Sequence, residues 1–324
     1  MVSFRTVVEI DAAEFSLNHQ HTVFSIGSCF VENIAEKFPE NGFRSMSNPF
    51  GTQYNPISIF KSIKRIIEAR YVETEAIIQH NDLYCHPDFH GEFNCASQNQ
   101  FCKHVNAKIF AAHECLKEAD LLIISLGTAF SYRSKESGKI VSNCHKMPAD
   151  KFSRELLTLE YLESEFTAIL QDLRDFNDSV HVILTVSPIR HWRDNPHMNQ
   201  VSKSTLIMLT NRFNTMEKLA YFPSYEIVLD ELRDYRFYRE DMIHLNSTAI
   251  DYIWQRFSDY CIDSKSQQII TDLQRLKKQY QHKVLSPEST QYQIHLDSRQ
   301  AKYDELSEKY NEIDFVDLIQ NWTR

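Results

Sequence analysis

Glycine is scarce in this chain, at six residues in 324, so each one after an apolar run carries information. Excess basic charge is missing too. Acidic residues outnumber basic ones by 44 to 35, a formal charge of −9, and no basic run stands out. That balance argues against a nucleic-acid or membrane-surface partner, which would need a positive patch. No apolar segment approaches the ~20 residues needed to span a bilayer. The opening MVSFRTVVEIDAAEF lacks a basic start and a long apolar stretch, so it does not read as a signal peptide. Seven cysteines at irregular spacing (Cys29, Cys85, Cys95, Cys102, Cys115, Cys144, Cys261) are an odd number, in a chain too large to need staples. They are expected to be reduced thiols in a cytoplasmic protein. No internal repeat or low-complexity segment is present.

What is there has the composition of a globular protein, 42% hydrophobic and 24% charged. Four apolar runs of strand length recur: 22–26, LLIISLG at 121–127, VHVILTVSP at 180–188 and YEIVLD at 225–230. Continuous apolar runs suit strands covered on both faces. Helical spacing separates them, as in NPISIFKSIKRIIEARY and SRELLTLEYLESEFTAILQDLRDF. The alternation predicts an α/β domain, a three-layer α/β/α sandwich around a central parallel sheet, over residues 1–262. Residues 263–324 are charged, glycine-free and helical in pattern, with a break at Ser286-Pro287. They predict a helical C-terminal extension, a pair of helices packed on the domain or an interaction arm.

Sheets of this kind bind ligands at the carboxyl ends of their strands. There the chain places Gly27-Ser28-Cys29, Gly127-Thr128 and Ser187-Pro188. A nucleophile in the first turn of a helix meets unpaired N–H groups and the positive end of the dipole, which favours a thiolate and an oxyanion. The bland alternative makes Ser28 a helix cap and Cys29 a buried filler. A base is offered by Asp241-Met-Ile-His244, where the carboxylate can hold one imidazole nitrogen and leave the other facing outward. Arg190 and His191 follow the third run and should lie near the mouth of the site. Cys85, His86, His90 and Cys95 cluster in sequence, but their spacing fits no zinc pattern.

SIGSCFVENIAE with NPFGTQYNP resembles the signature of the GSCFA family, placed within the SGNH/GDSL hydrolase superfamily. SLGTAFSYR, VSNCHKMPADKF, LTVSPIRHWRD, SKSTL and YREDMIHLN continue the resemblance over about residues 20 to 260. It implies an SGNH-hydrolase-like, flavodoxin-like topology and a nucleophile–His–Asp site. Aligned on Gly27, Cys29 takes the nucleophile position and Ser28 that of the block-one aspartate, with Cys29 the favoured nucleophile and Ser28 the alternative. Asp241 and His244 match the last block. Gly51 corresponds to the second-block oxyanion glycine and Gly127, beside Thr128, to that of the third block. Ala129 stands where that block has its oxyanion asparagine; Asn143, His145, Asn48 and Asn55 are candidate substitutes, and His90 a pocket-lining residue. The implied activity is hydrolysis or transfer of an acyl ester, most simply an O-acetyl group on a carbohydrate-like substrate, with no cofactor. The alternatives are a non-catalytic binding protein on the same fold, or a metal-dependent hydrolase around Cys85, His86 and His90.

Overall fold

A computed structural model describes residues 5–282 and 288–323. Five parallel strands form the central sheet: β1 (Thr22–Gly27), β2 (Arg44–Ser47), β3 (Leu121–Leu126), β4 (His181–Val186) and β5 (Leu219–Tyr221). Their order across the sheet is 5-4-3-1-2 in these labels, which read from the other edge is the flavodoxin-like 2-1-3-4-5. Val23 pairs with Leu121 and Leu121 with His181, so the three central strands start level.

Strand side chains alternate between two faces, and the two cores follow that alternation. Phe24, Ile26, Leu122, Ile124, Val182 and Leu184 point toward α2 (Pro56–Ile67), α3 (Gln98–Lys117), α4 (Leu159–Phe176) and α5 (Pro196–Phe213). Val23, Leu121, Ile123 and Ile183 point the other way, toward α1 (Cys29–Ala35) and α6 (Ser247–Cys261). The three-layer sandwich expected from the sequence is therefore present. Helix starts are fixed locally: Asn55, Ser97, Thr158, Asn195 and Asn246 each accept a first-turn N–H with their side chains.

Two elements differ from expectation. Residues 225–230 are not a strand. Pro223 cannot donate to a ladder, and the chain turns helical there, with Ile227 N donating to Pro223 O at 3.0 Å. The fifth strand is the short Leu219–Tyr221 just before it. The start of SRELLTLEYLESEF is also extended: Phe152–Leu156 joins Phe130–Ser134 and Ile140–Val141 in a small antiparallel sheet beside the main one. Thr158 then caps α4.

Among the described residues the C-terminal segment forms three helices rather than two: α7 (Ser264–Tyr280), α8 (Thr290–Lys309) and α9 (Phe315–Thr323). They share a core of their own around Leu273, Leu276, Leu306 and Trp322. The break expected at Ser286-Pro287 lies outside the described residues. No helix among the described residues is long and apolar enough to cross a membrane, and all seven cysteines are free thiols.

Candidate active site

The turn after β1 is built by close approach of two strands. Gly27 has φ +139°, and a Cβ there would sit 2.1 Å from the Ser125 carbonyl oxygen of β3, so no other residue fits. Ser28 N then donates to Ser125 O at 3.1 Å, and α1 starts at Cys29. Ser28 is 1% exposed; its Oγ makes no cap bond and pairs with Ser125 Oγ at 2.8 Å. Its hydroxyl is turned to β3. Cys29, but not Ser28, lines a 490 Å³ cavity at the carboxyl ends of β1, β3 and β4, together with Gly127 and Ser187.

His244 reaches Cys29 from the loop before α6. Asp241 Oδ1 accepts the N–H groups of Ile243 and His244, each at 2.9 Å, and Oδ2 lies 2.7 Å from His244 Nδ1. Those three bonds hold the Asp241 carboxyl well below the usual carboxylate range. An ionised carboxylate accepts only, so Nδ1 carries the proton and Nε2 is the nitrogen left for chemistry. The sulfur of Cys29 and one ring nitrogen each of His244 and His191 lie within 4.8 Å of one another. His191 packs edge-on against His244, centroids 5.6 Å apart, and against Tyr54 at 5.7 Å. Burial first, then His244 and Lys203, push its pKa down.

The thiol itself departs from the expected lowered pKa. Burial, reinforced by Glu32 in the first turn of the same helix, pushes Cys29 up to about 11. Lys203 and the backbone N–H groups of Cys29 and Phe30 pull the other way and lose. A helix terminus favours a thiolate only where its field exceeds the cost of desolvation, and seven-residue α1 carries an acid in that first turn.

A model of the GSCFA family matches residues 22–257. The chain belongs to the GSCFA family. No curated protein matches it. Among solved structures, a carbohydrate esterase family 3 from Talaromyces cellulolyticus is similar at 11% identity and TM-score 0.36, covering 78% of this chain and 99% of its own. An acetyl xylan esterase from Butyrivibrio proteoclasticus shows 11% identity and TM-score 0.38 over 75% of this chain and 64% of its own. A carbohydrate esterase family 2 enzyme from Corynascus thermopiles shows 10% identity and TM-score 0.35 over 82% and 68%. Likeness at this level carries no argument about chemistry.

The remaining residues singled out in the GSCFA sequence fall into three places. Asn143 lines the Cys29 cavity, with its Oδ1 accepting from His145 N at 2.8 Å. Gly127 and Thr128 line it too, but both their N–H groups already donate to Tyr54 O, at 2.8 and 2.9 Å. Gly51 N likewise donates to Asn48 O at 2.8 Å, and Gly51 lies outside the cavity, packed under His90. The expected oxyanion role of these amides is therefore not supported by free donors. His145 turns away, holding His86 O with Nε2 at 2.9 Å. His90 sits against Glu92, 3.7 Å away, outside the cavity. Asn55 is occupied as the α2 cap, and Asn48 Oδ1 holds Gly27 N at 2.8 Å. Arg190 is drawn off to Asn199 Oδ1 at 3.1 Å and lines a neighbouring groove. Ala129 is fully buried, its N–H donated to Ser202 Oγ at 2.8 Å.

Three residues that the sequence did not single out matter here. Arg154 and Arg193 are the guanidinium groups lining the cavity; Arg154 pairs with Asp194 at 2.5 Å and Arg193 stacks over Tyr132. Lys203 is 2% exposed beneath the site, donating to Gly127 O at 2.7 Å and Ser187 O at 2.5 Å. Burial lowers its pKa to about 7, and the Cys29 sulfur opposes that shift. A charged residue on the buried face of α5 was the available signal. Among the described residues Cys85, His86 and His90 do not bring three donor atoms together, whereas Cys29, His191 and His244 place theirs within 4.8 Å of one another.

Proposed function

We propose that this protein hydrolyses, or transfers, an acyl group held in an ester, with Cys29 as nucleophile, His244 as base and Asp241 as the group that orients His244. One observation carries this reading. A half-buried thiol at a strand-to-helix turn lines a 490 Å³ cavity and lies within 4.8 Å of a histidine whose other ring nitrogen is held by a carboxylate. Because the thiol is protonated at neutral pH, His244 Nε2 takes its proton as the sulfur–carbon bond forms. The proton then passes to the departing alkoxide, leaving a thioester, and water or another acceptor releases the acyl group with His244 again as base. The first-turn N–H groups beside Cys29 are the nearest donors for the oxyanion, with the Asn143 amide on the cavity wall. An O-acetyl group on a carbohydrate is the simplest substrate for such a cavity. Cys29→Ala is expected to lower p-nitrophenyl acetate turnover by about 10³-fold or more, while Ser28→Ala retains most of it. Undiminished turnover by Cys29→Ala would overturn the assignment.

The same side chains favour a second reading as a metal-dependent hydrolase. Cys29, His191 and His244 offer three donors of zinc type, and Asp241 behind His244 is the support a ligating histidine usually has. Metal analysis of the purified protein separates the readings. Stoichiometric zinc whose removal abolishes turnover supports the metal; an active, zinc-free protein ends that reading.

A further inference from the structure

A second cavity is larger than the one that holds Cys29. It measures 1320 Å³ and lies between α2, the hairpin of Ile78–His80 and Leu83–Cys85, and the small antiparallel sheet. Val141 and Asn143 line both cavities, so a single wall separates them. In a chain of charge −9, this cavity gathers six lysines and arginines against three acids, Glu73, Asp88 and Glu136. Lys61 and Arg65 on α2 are held by Asp88, at 2.6 and 2.9 Å. Lys135, Lys139 and Lys151 stand exposed at the rim, unpaired among the described residues.

The wall is different in kind. His145 is 8% exposed; with Nε2 on His86 O, its buried Nδ1 has no partner, nor has the buried Nε2 of His80. Burial lowers the pKa of His145 and of His86, the latter to about 4. Buried ring nitrogens without a partner, at His145 and His80, suit hydroxyl groups, and ammonium groups without a paired acid suit an anion.

We infer that this second cavity binds an anionic, hydroxyl-rich part of the same molecule whose acyl ester enters the Cys29 cavity: an acylated sugar that also carries a carboxylate or a phosphate. The inference rests on the esterase reading for the ester, and on the second cavity alone for the anion. A substrate lying across the Val141–Asn143 wall places its charge on the lysine rim and its acyl carbonyl at the sulfur.

The test uses the full chain and a variant carrying Lys135→Glu, Lys139→Glu and Lys151→Glu, none of which lines the Cys29 cavity. Calorimetric titration with trigalacturonate, glucose 6-phosphate and neutral xylotriose reads the cavity directly. One anionic probe is expected to bind the native protein more tightly than xylotriose, and less tightly as salt rises. The triple variant is expected to lose about ten-fold or more of that affinity and to keep its p-nitrophenyl acetate turnover. Trigalacturonate as the preferred probe assigns a carboxylate, glucose 6-phosphate a phosphate. Acetylated trigalacturonate should then have a lower KM than acetylated xylotriose if the carboxylate is the anion. Equal affinity for all three probes, or an unchanged triple variant, would overturn the inference. The expected binding in a protein that turns over no ester would uphold the cavity and overturn the esterase reading alone.

Discussion

A thiol that titrates near 11 is almost fully protonated at neutral pH, and its thiolate fraction rises about ten-fold per pH unit below that value. The rate at which iodoacetamide alkylates Cys29 should therefore keep climbing between pH 7 and 10. A plateau near neutrality, read by mass spectrometry of the Cys29 peptide, would mean a pre-formed thiolate and would contradict the general-base account. The environment also predicts that Cys29→Ser keeps measurable turnover, since His244 would serve an alcohol as it serves a thiol. The strand–glycine–cysteine turn and the Asp241–His244 pair were legible in the chain, because each depends on residues only a few positions apart. Direction was not legible. Arg190, Arg154 and Arg193 have the same chemistry, and which of them faces the cavity depends on Asn199, Asp194 and Tyr132, contacts that no spacing encodes. The thiol's raised pKa is not legible for a related reason: the helix terminus is visible in sequence, whereas the burial that outweighs it is not.

Elements meet the site through two devices. The first is Gly27, which lets β1 and β3 approach until Ser28 reaches Ser125. Gly27→Ala would force a Cβ onto the Ser125 carbonyl at a φ that L-residues avoid, and should cost about 3 kcal/mol. Thermal unfolding should show that loss together with inactivation; an unchanged melting temperature would mean that the turn is not built as described. The second is Lys203 of α5, whose Nζ joins Gly127 after β3 to Ser187 after β4. Lys203→Met would leave two carbonyls without that donor, at a cost of about 1–3 kcal/mol, and should lower both stability and turnover. Full stability in that variant would remove Lys203 as a tie between the strands. Long buried strands were readable from their apolar runs. The edge strands were not: Arg44–Ser47 is largely exposed, and Leu219–Tyr221 is three residues long beside a more apolar helical run. Ile227 and Val228 look the same to periodicity whether buried in a strand or in a helix, and only Pro223 and Ser224 hint at the turn.

Across the whole molecule, the Cys29 cavity opens at the carboxyl ends of the main sheet and the larger one beside the small antiparallel sheet, and no residue of the C-terminal helices lines either of them. Ile270 of α7 packs into the core around Trp254 and Phe257, Lys277 pairs with Glu40 at 3.1 Å, and Trp322 donates to Glu40 O at 2.8 Å. A chain ending at residue 263 is expected to keep its sheet and its turnover but to melt at a lower temperature, because it uncovers Ile270's partners and the surface around Glu40. Loss of circular dichroism in that truncation would make the segment part of the fold nucleus instead of an extension. The central claim is that the Cys29 sulfur forms the covalent acyl intermediate. Its most direct test is peptide mass spectrometry of the protein quenched in acid during turnover of p-nitrophenyl acetate, with His244→Ala alongside. An acetyl group on Cys29 in the native protein, strongly reduced in His244→Ala, is the predicted result. An acetyl group on Ser28, or turnover with no adduct on either residue that survives Cys29→Ala, would contradict it.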